Sequence, residues 1–293
     1  MFFDHLPQGG FVCAHRGARS IAPENTLLAM QKAEECGAHC WETDVRMSKD
    51  GELIIFHDPT LESTTDVADR EKFKERSPWA VDQFSAAELR ELDAGSWFLT
   101  DDPFGTIASG EVSVQEQKTI RRQKIPLLHE ILDFTGKHHF PVNLEIKDLE
   151  TPQGDVVIVN KIMDMLKQTG TMDLVLLSSF RYEYLYRARE LHPTISLAVL
   201  AGEQHPADLL SKLYEFSATA YHPHAALCDP DLIRELQRAN FRINPWTVNN
   251  LPQAKKMLQD GMGVITDWPQ RLTLVSRQHC SDASCLSFST TSH

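Results

Sequence analysis

Three charged clusters, Ala14-His15-Arg16-Gly17, Trp41-Glu42-Thr43-Asp44 and Ile55-Phe56-His57-Asp58, each close an apolar, strand-like run. Residues two apart on a strand share a face, so Glu42 and Asp44 point one way while Trp41, Thr43 and Val45 point the other. The same alternation in Pro141-Val142-Asn143-Leu144-Glu145-Ile146-Lys147 sets Asn143, Glu145 and Lys147 against Val142, Leu144 and Ile146. Carboxylates sharing a buried face are unstable, because each uncompensated charge there costs roughly several kcal/mol. A bound cation resolves the conflict, and so do ion pairs with Arg46 and Lys147; spacing alone leaves both open. Since Glu42, Asp44 and Glu145 offer only oxygen, the fitting ion is hard, Mg²⁺ or Ca²⁺, where Zn²⁺ would favour His or Cys.

His15 and His57 end the strand-like runs nearest this cluster. Imidazole titrates near neutral pH and can serve as acid or base. Each histidine alone reads as a hydrogen-bonded structural group, and the pair beside a metal reads as a proton-transfer couple. Arg16 and Lys147 can neutralise phosphate oxygens, Arg through a fork and Lys as a point charge, or can simply balance the carboxylates. Trp246, at another strand end, is either packing or a wall of the same site. Ser178 and Phe180, in Leu177-Ser178-Ser179-Phe180, and His222, in Tyr221-His222-Pro223, are weaker lining candidates.

The elements that must position these groups alternate as βα units. Strand-like runs fall at 11–15, 40–46, 142–147, 174–178, 195–200, 218–222, 241–246 and 263–266, with helical periodicity between most of them. Asn25 is the expected N-cap of a helix over 26–36, and Asp229-Pro230 opens another. The run 52–56 is extended and belongs with the second unit. Residues 59–124 break the rhythm and read as an insertion, with one short helix over 85–92. Its place after His57 puts it at the mouth that bears the charged clusters, where it is expected to influence substrate preference. Chemistry in an eight-unit parallel barrel sits at the C-terminal ends of the strands, which is where the candidate residues fall.

At 293 residues and 42% hydrophobic content the chain suits one large domain over 1–277, followed by an aperiodic Ser/Thr/Cys/His tail over 278–293 that is expected to be disordered. A formal charge of −12 argues against nucleic-acid or anionic-membrane partners, which require clustered Lys and Arg. No run of about 18 apolar residues is present, and the first residues lack a basic and then apolar leader. Six cysteines with no C-x-x-C pair fit reduced thiols in a cytoplasm. The oligomeric state is left open.

Taken together, His15-Arg16-Gly17, Pro23-Glu24-Asn25-Thr26, Glu42 with Asp44, His57-Asp58, Glu145-Ile146-Lys147, Trp246-Thr247-Val248-Asn249 and Ile265-Thr266-Asp267 resemble the glycerophosphodiester phosphodiesterase family, in order over about 11–275. The resemblance implies a (β/α)8 TIM-type barrel with the insertion after the second βα region. It also implies one divalent cation on Glu42, Asp44 and Glu145, acid and base roles for His15 and His57, and hydrolysis of a small glycerophosphodiester to glycerol 3-phosphate and an alcohol. The substrate's own glycerol hydroxyl would attack first, giving a cyclic phosphate, and Trp246 would wall the glycerol. A lysophospholipase D or sphingomyelinase D-like activity on a lipid is the enzymatic alternative. A silent phospho-ligand-binding barrel is the other, and it would be expected to lack one of these groups.

Overall fold

Alternating side chains make a cylinder here because the even and odd residues of each strand meet different neighbours. The computed structural model describes residues 1–273, so the expected tail and the last four residues of the expected domain lie outside the described residues. Along the chain come β1 (Phe11–Ala14), α1 (Leu27–Glu35), β2 (Cys40–Met47) and β3 (Leu53–Ile55), then α2 (Ala86–Glu91), α3 (Ser96–Asp101) and α4 (Val114–Ile120). A regular alternation follows: α5 (Leu128–His138), β4 (Val142–Ile146), α6 (Pro152–Thr169), β5 (Val175–Ser179), α7 (Tyr182–Leu191), β6 (Ser196–Ala201), α8 (Leu209–Glu215), β7 (Ala220–Pro223), α9 (Pro230–Arg238), β8 (Arg242–Ile243), α10 (Leu251–Gln259) and β9 (Gly263–Thr266).

The strands run parallel in the order β8-β7-β6-β5-β4-β2-β1-β9. The seam between β8 and β9 is drawn together where Ile265 N donates to Pro245 O at 3.0 Å and Val248 N donates to Ile265 O at 2.9 Å. Pro245 has no N–H to give, so it contributes its carbonyl and Val248 supplies the donor on that side of the seam. The expected TIM-type barrel is therefore the fold. β3 is not a stave; it folds back antiparallel on β2, with Val45 opposite Ile55.

Val12, Ala14, Trp41, Val45, Leu144, Leu177 and Val199 face outward into the core shared with the helices. Phe11, Cys13, Cys40, Leu176, Ala198, Ala220 and Ile265 fill the barrel interior together with Phe2 and Leu6 from the N-terminal turn. Phe2 is 1% exposed and lies over the N-terminal end of the barrel with Phe11, so carbon seals that end and charge gathers at the other.

The stretch over 59–124 has its own cores. One holds Leu61, Val67, Phe73, Phe84 and Leu89 against Ile54 and Phe56; the other holds Phe98, Val112 and Ile120 against Ile21 and Leu28. Capping boxes at Ser85/Glu88 and Ser113/Glu116 start α2 and α4. One local expectation is corrected. Thr26, not Asn25, caps α1, its Oγ1 accepting from Ala29 N at 3.1 Å, because Asn25 sits at φ +55° with its amide turned toward β2.

Candidate active site

β2 and β4 pair so that Asp44 lies beside Glu145, with Glu42 one inward position earlier on β2. Ligand atoms of Glu42, Asp44 and Glu145 lie within 4.8 Å of one another. Lys147 Nζ stands 2.6 Å from Glu145 Oε1 and 3.6 Å from Asp44 Oδ1. Arg16, at φ +52°, donates its backbone N–H to Glu42 Oε2 at 2.9 Å and brings Nε to 3.6 Å from Asp44 Oδ2. Its guanidinium is held by Glu24 at 2.6 Å. Asn25 Nδ2 donates to Asp44 Oδ2 at 2.9 Å, while Asn25 Oδ1 accepts from Thr43 Oγ1 at 2.7 Å.

Burial works against every charge in this cluster. It would raise the Asp44 carboxyl, but Lys147 and Arg16 overcome it and hold Asp44 well below the usual carboxylate range. For Glu42, burial and then the neighbouring Asp44 and Glu145 push the carboxyl well above that range. Glu145 is also raised, by burial more than Lys147 can offset. Lys147 and Arg16 therefore leave part of the acidic charge uncompensated, and the oxygen-only donor set could hold a metal. Arg46 does not take the ion-pair role that the alternative reading gave it: its Nε donates to His57 O at 2.8 Å.

Each histidine is oriented by an aspartate. His15 Nδ1 is 2.7 Å from Asp267 Oδ1, which leaves Nε2 3.9 Å from Glu42 Oε2. Asp267 is held in turn by Asn249, whose Nδ2 donates to Asp267 Oδ2 at 2.6 Å and whose Oδ1 accepts from Asp267 N at 3.0 Å. His57 Nδ1 lies 2.6 Å from Asp58 Oδ1, and the Ser63 hydroxyl donates to the other oxygen of Asp58. Burial would raise Asp267, yet His15, Arg19 and Asn249 bring it down to about 2. The His57 bond, opposed by burial and helped by Ser63, brings Asp58 to about 2.

A depressed carboxylate stabilises the fold above its ordinary value and loses that contribution as pH falls through the folded one. Asp267→Asn is accordingly expected to cost on the order of 2 kcal/mol at pH 7, from the drop between 3.8 and about 2. Urea unfolding should show the gap to wild type narrowing as pH falls from 4 toward about 2. A gap that stays constant across that window would mean that packing, not charge, is what the aspartate supplies.

A mouth opens over these groups, and its lining includes His15, Arg16, Glu42, His57, Glu145, Lys147, Phe180 and Trp246. Phe180 meets Trp246 edge to face at 5.7 Å. Asp44 belongs to the acidic cluster just behind that lining. Ser178 and His222 do not line the mouth; both are buried inside the barrel, His222 with Asn244 Nδ2 at 2.8 Å from its Nε2. Asp267, Asn249, Glu24, Asn25, Arg19 and Asp58 make contacts that strand alternation had not assigned. Asp267 was the most accessible of these, since it directly follows the β9 run as His15 follows β1.

Residues 15–271 match the glycerophosphoryl diester phosphodiesterase family. A glycerophosphodiester phosphodiesterase of Caldanaerobacter subterraneus subsp. tengcongensis is 30% identical over 273 residues, 91% of this chain and 98% of that protein. A phosphodiesterase of Oleispira antarctica, solved in complex with the product sn-glycerol-3-phosphate, superimposes with a TM-score of 0.76 at 28% identity over 94% of this chain and 98% of that one. A protein from Silicibacter pomeroyi, 21% identical with a TM-score of 0.79 over 94% of this chain and 97% of that one, shares the fold. The chain belongs to the glycerophosphoryl diester phosphodiesterase family.

Proposed function

We propose that this enzyme hydrolyses small glycerophosphodiesters to sn-glycerol 3-phosphate and an alcohol, with Glu42, Asp44 and Glu145 holding one Mg²⁺ or Ca²⁺ and His15 and His57 transferring protons. The observation that carries this reading is the convergence of three carboxylates, two aspartate-oriented histidines and two cations around one mouth. When bound, the cation supplies positive charge to the phosphoryl oxygens. Arg16 and Lys147 add charge from the chain itself, placed where negative charge grows in the transition state. One histidine takes the proton from the attacking glycerol hydroxyl; the other protonates the departing alkoxide. The resulting cyclic phosphate is opened by water with the proton roles reversed. Trp246 and Phe180 present a carbon wall to the glycerol.

Mouth chemistry favours a small polar alcohol over a lipid. Of the large apolar side chains more than a third exposed among the described residues, Phe180 alone lines the mouth. No described helix is long and apolar enough to cross a membrane. The thiols of Cys13, Cys40 and Cys228, none of them in a disulfide among the described residues, support residence in a reducing compartment such as the cytoplasm. The test is a side-by-side assay of glycerophosphocholine, glycerophosphoethanolamine, glycerophosphoglycerol and a lysolipid, with and without added cation. Cation-dependent release of glycerol 3-phosphate from the water-soluble diesters supports the proposal, whereas preference for the lysolipid supports the lipid enzyme.

We propose as well that the 59–124 excursion forms part of a single catalytic domain and tunes the alcohol preference. Phe104 packs edge to face on Trp268 at 5.5 Å and under the Arg19 guanidinium at 5.4 Å, and Arg19 reaches toward Asp267 at 3.7 Å. Phe104→Ala should therefore alter the ratio of rates among glycerophosphodiesters more than the rate on a small activated phosphodiester. Equal losses on every substrate would make the segment a brace instead.

A further inference from the structure

The alternation that sets Glu42 and Asp44 on one face of β2 puts Arg46 on that face as well. Its guanidinium is spent on backbone oxygen: Nε donates to His57 O at 2.8 Å, and Nη1 donates to Asp148 O at 3.3 Å. Those two residues stand on opposite flanks of β2. β3, which leads to His57, runs antiparallel on one side, and β4, which leads to Lys147 and Asp148, runs parallel on the other. Backbone bonds hold both flanks up to this level, where Phe56 N donates to Asp44 O at 3.0 Å and Lys147 N donates to Val45 O at 3.2 Å. One residue further along each flank, the fork of a single side chain spans the gap.

We propose that Arg46 is a positioning residue for His57, its guanidinium holding the backbone that carries the imidazole against the loop after Lys147. The inference rests on the proton-transfer role given to His57 under the proposed function. The two ends of the clamp are unequal. Asp148 is the anchored one: its Oδ1 accepts from Arg181 Nη1 at 2.7 Å, and that nitrogen also donates to Asp155 Oδ2 of α6 at 2.7 Å. Just before it, Ser179 Oγ donates to Ile146 O at 2.8 Å and ties β4 to β5. His57 instead follows a strand of three residues and opens the long excursion over 59–124.

The aspartates of the two histidines sharpen the contrast. Asp267 reaches His15 from the end of β9, so it fixes that ring to the barrel wall. Asp58 is the next residue after His57. Ring and carboxylate therefore travel on the same piece of backbone, and their bond sets the ring's orientation but not its place over the barrel. Arg46 supplies the missing tie to the wall. Arginine is needed for where its donors lie: lysine places a methylene where arginine places Nε–H, so its ammonium can approach Asp148 O while His57 O loses its donor. Arg46→Lys thus deletes the bond to His57 and keeps the charge and most of the stem.

Arg46→Lys is expected to lower kcat on glycerophosphodiesters about tenfold to a hundredfold, the scale of misplacing a reacting group by about 1 Å. KM and cation affinity should stay within about twofold, because the lost bond acts on a proton-transfer group and not on ground-state binding. In a His57→Ala background the same substitution should cost less than about twofold, since no imidazole is left to place. Equal losses in both backgrounds, or an unchanged kcat with His57 present, would overturn the proposal. Where the lysine variant folds poorly, Arg46→Met drops the Asp148 bond as well and should lose at least as much, with the same dependence on His57. A crystal structure of cation-loaded Arg46→Lys should show the backbone at His57 and its ring displaced from their wild-type place, and an unmoved His57 would also overturn the clamp. A wild-type protein without diester hydrolysis would sink the phosphodiesterase reading, and a displaced His57 in the variant crystal would leave the clamp standing.

Discussion

Exhaustive chelation is expected to abolish diester hydrolysis, and Mg²⁺ or Ca²⁺ to restore it. Three carboxylates within 4.8 Å of one another have Lys147 and Arg16 as close ion-pair partners, and the acidic charge left over is what a divalent ion would neutralise. Substituting one of the carboxylates by its amide should lower turnover by roughly three orders of magnitude, the equivalent of several kcal/mol of lost charge stabilisation. Glu42→Gln separates activity from stability. Because burial, Asp44 and Glu145 hold the Glu42 carboxyl well above its ordinary value, the folded chelated protein binds a proton there more tightly than the unfolded chain does. Its stability therefore falls as pH rises past 4.5, the ordinary value. A neutral glutamine does not suffer that loss, so the chelated Glu42→Gln protein should melt higher than chelated wild type at pH 7 while being inactive with metal. Full activity after metal removal, or a lower melting point for the chelated variant, would each break part of this account.

His15→Ala and His57→Ala are each expected to lose roughly two to four orders of magnitude in turnover, the scale of removing a general acid or base. The double variant should be little worse than either single one, because loss of one proton transfer already stalls the other. The two can be told apart by the leaving group. An activated aryl alcohol departs without protonation, so the variant lacking the acid should recover most of its rate on a nitrophenyl diester, and the variant lacking the base should not. Both side chains donate Nδ1–H to an ionised aspartate, Asp267 for His15 and Asp58 for His57, which would leave Nε2 as the proton-transferring nitrogen of each. Near-normal turnover in either alanine variant would reduce that histidine to a structural group.

Local rules explain why much of this was legible in one dimension. A period of two places Glu42 with Asp44, and Asn143 with Glu145 and Lys147, on one face of their strands, and the regular succession of βα units implies a barrel that turns those faces inward. Charge at strand ends then has to gather at one mouth. Asn25 departs from its expected capping role for a related reason: a cap is a local inference, and a left-handed backbone with an amide drawn toward Asp44 is a demand made by another strand. The partners of the histidines behave likewise. Asp58 is adjacent to His57, but Asp267 lies 252 positions from His15 and meets it because β9 pairs with β1. Only closure of the barrel decides that contact, the support Asn249 lends to it, and the burial of His222 beneath the mouth. The sequence alone thus determined which residue types line the inner faces, through alternation along single strands. The tertiary structure decided which of them touch, because register between strands distant in sequence is set by packing around the whole cylinder and not by any local spacing.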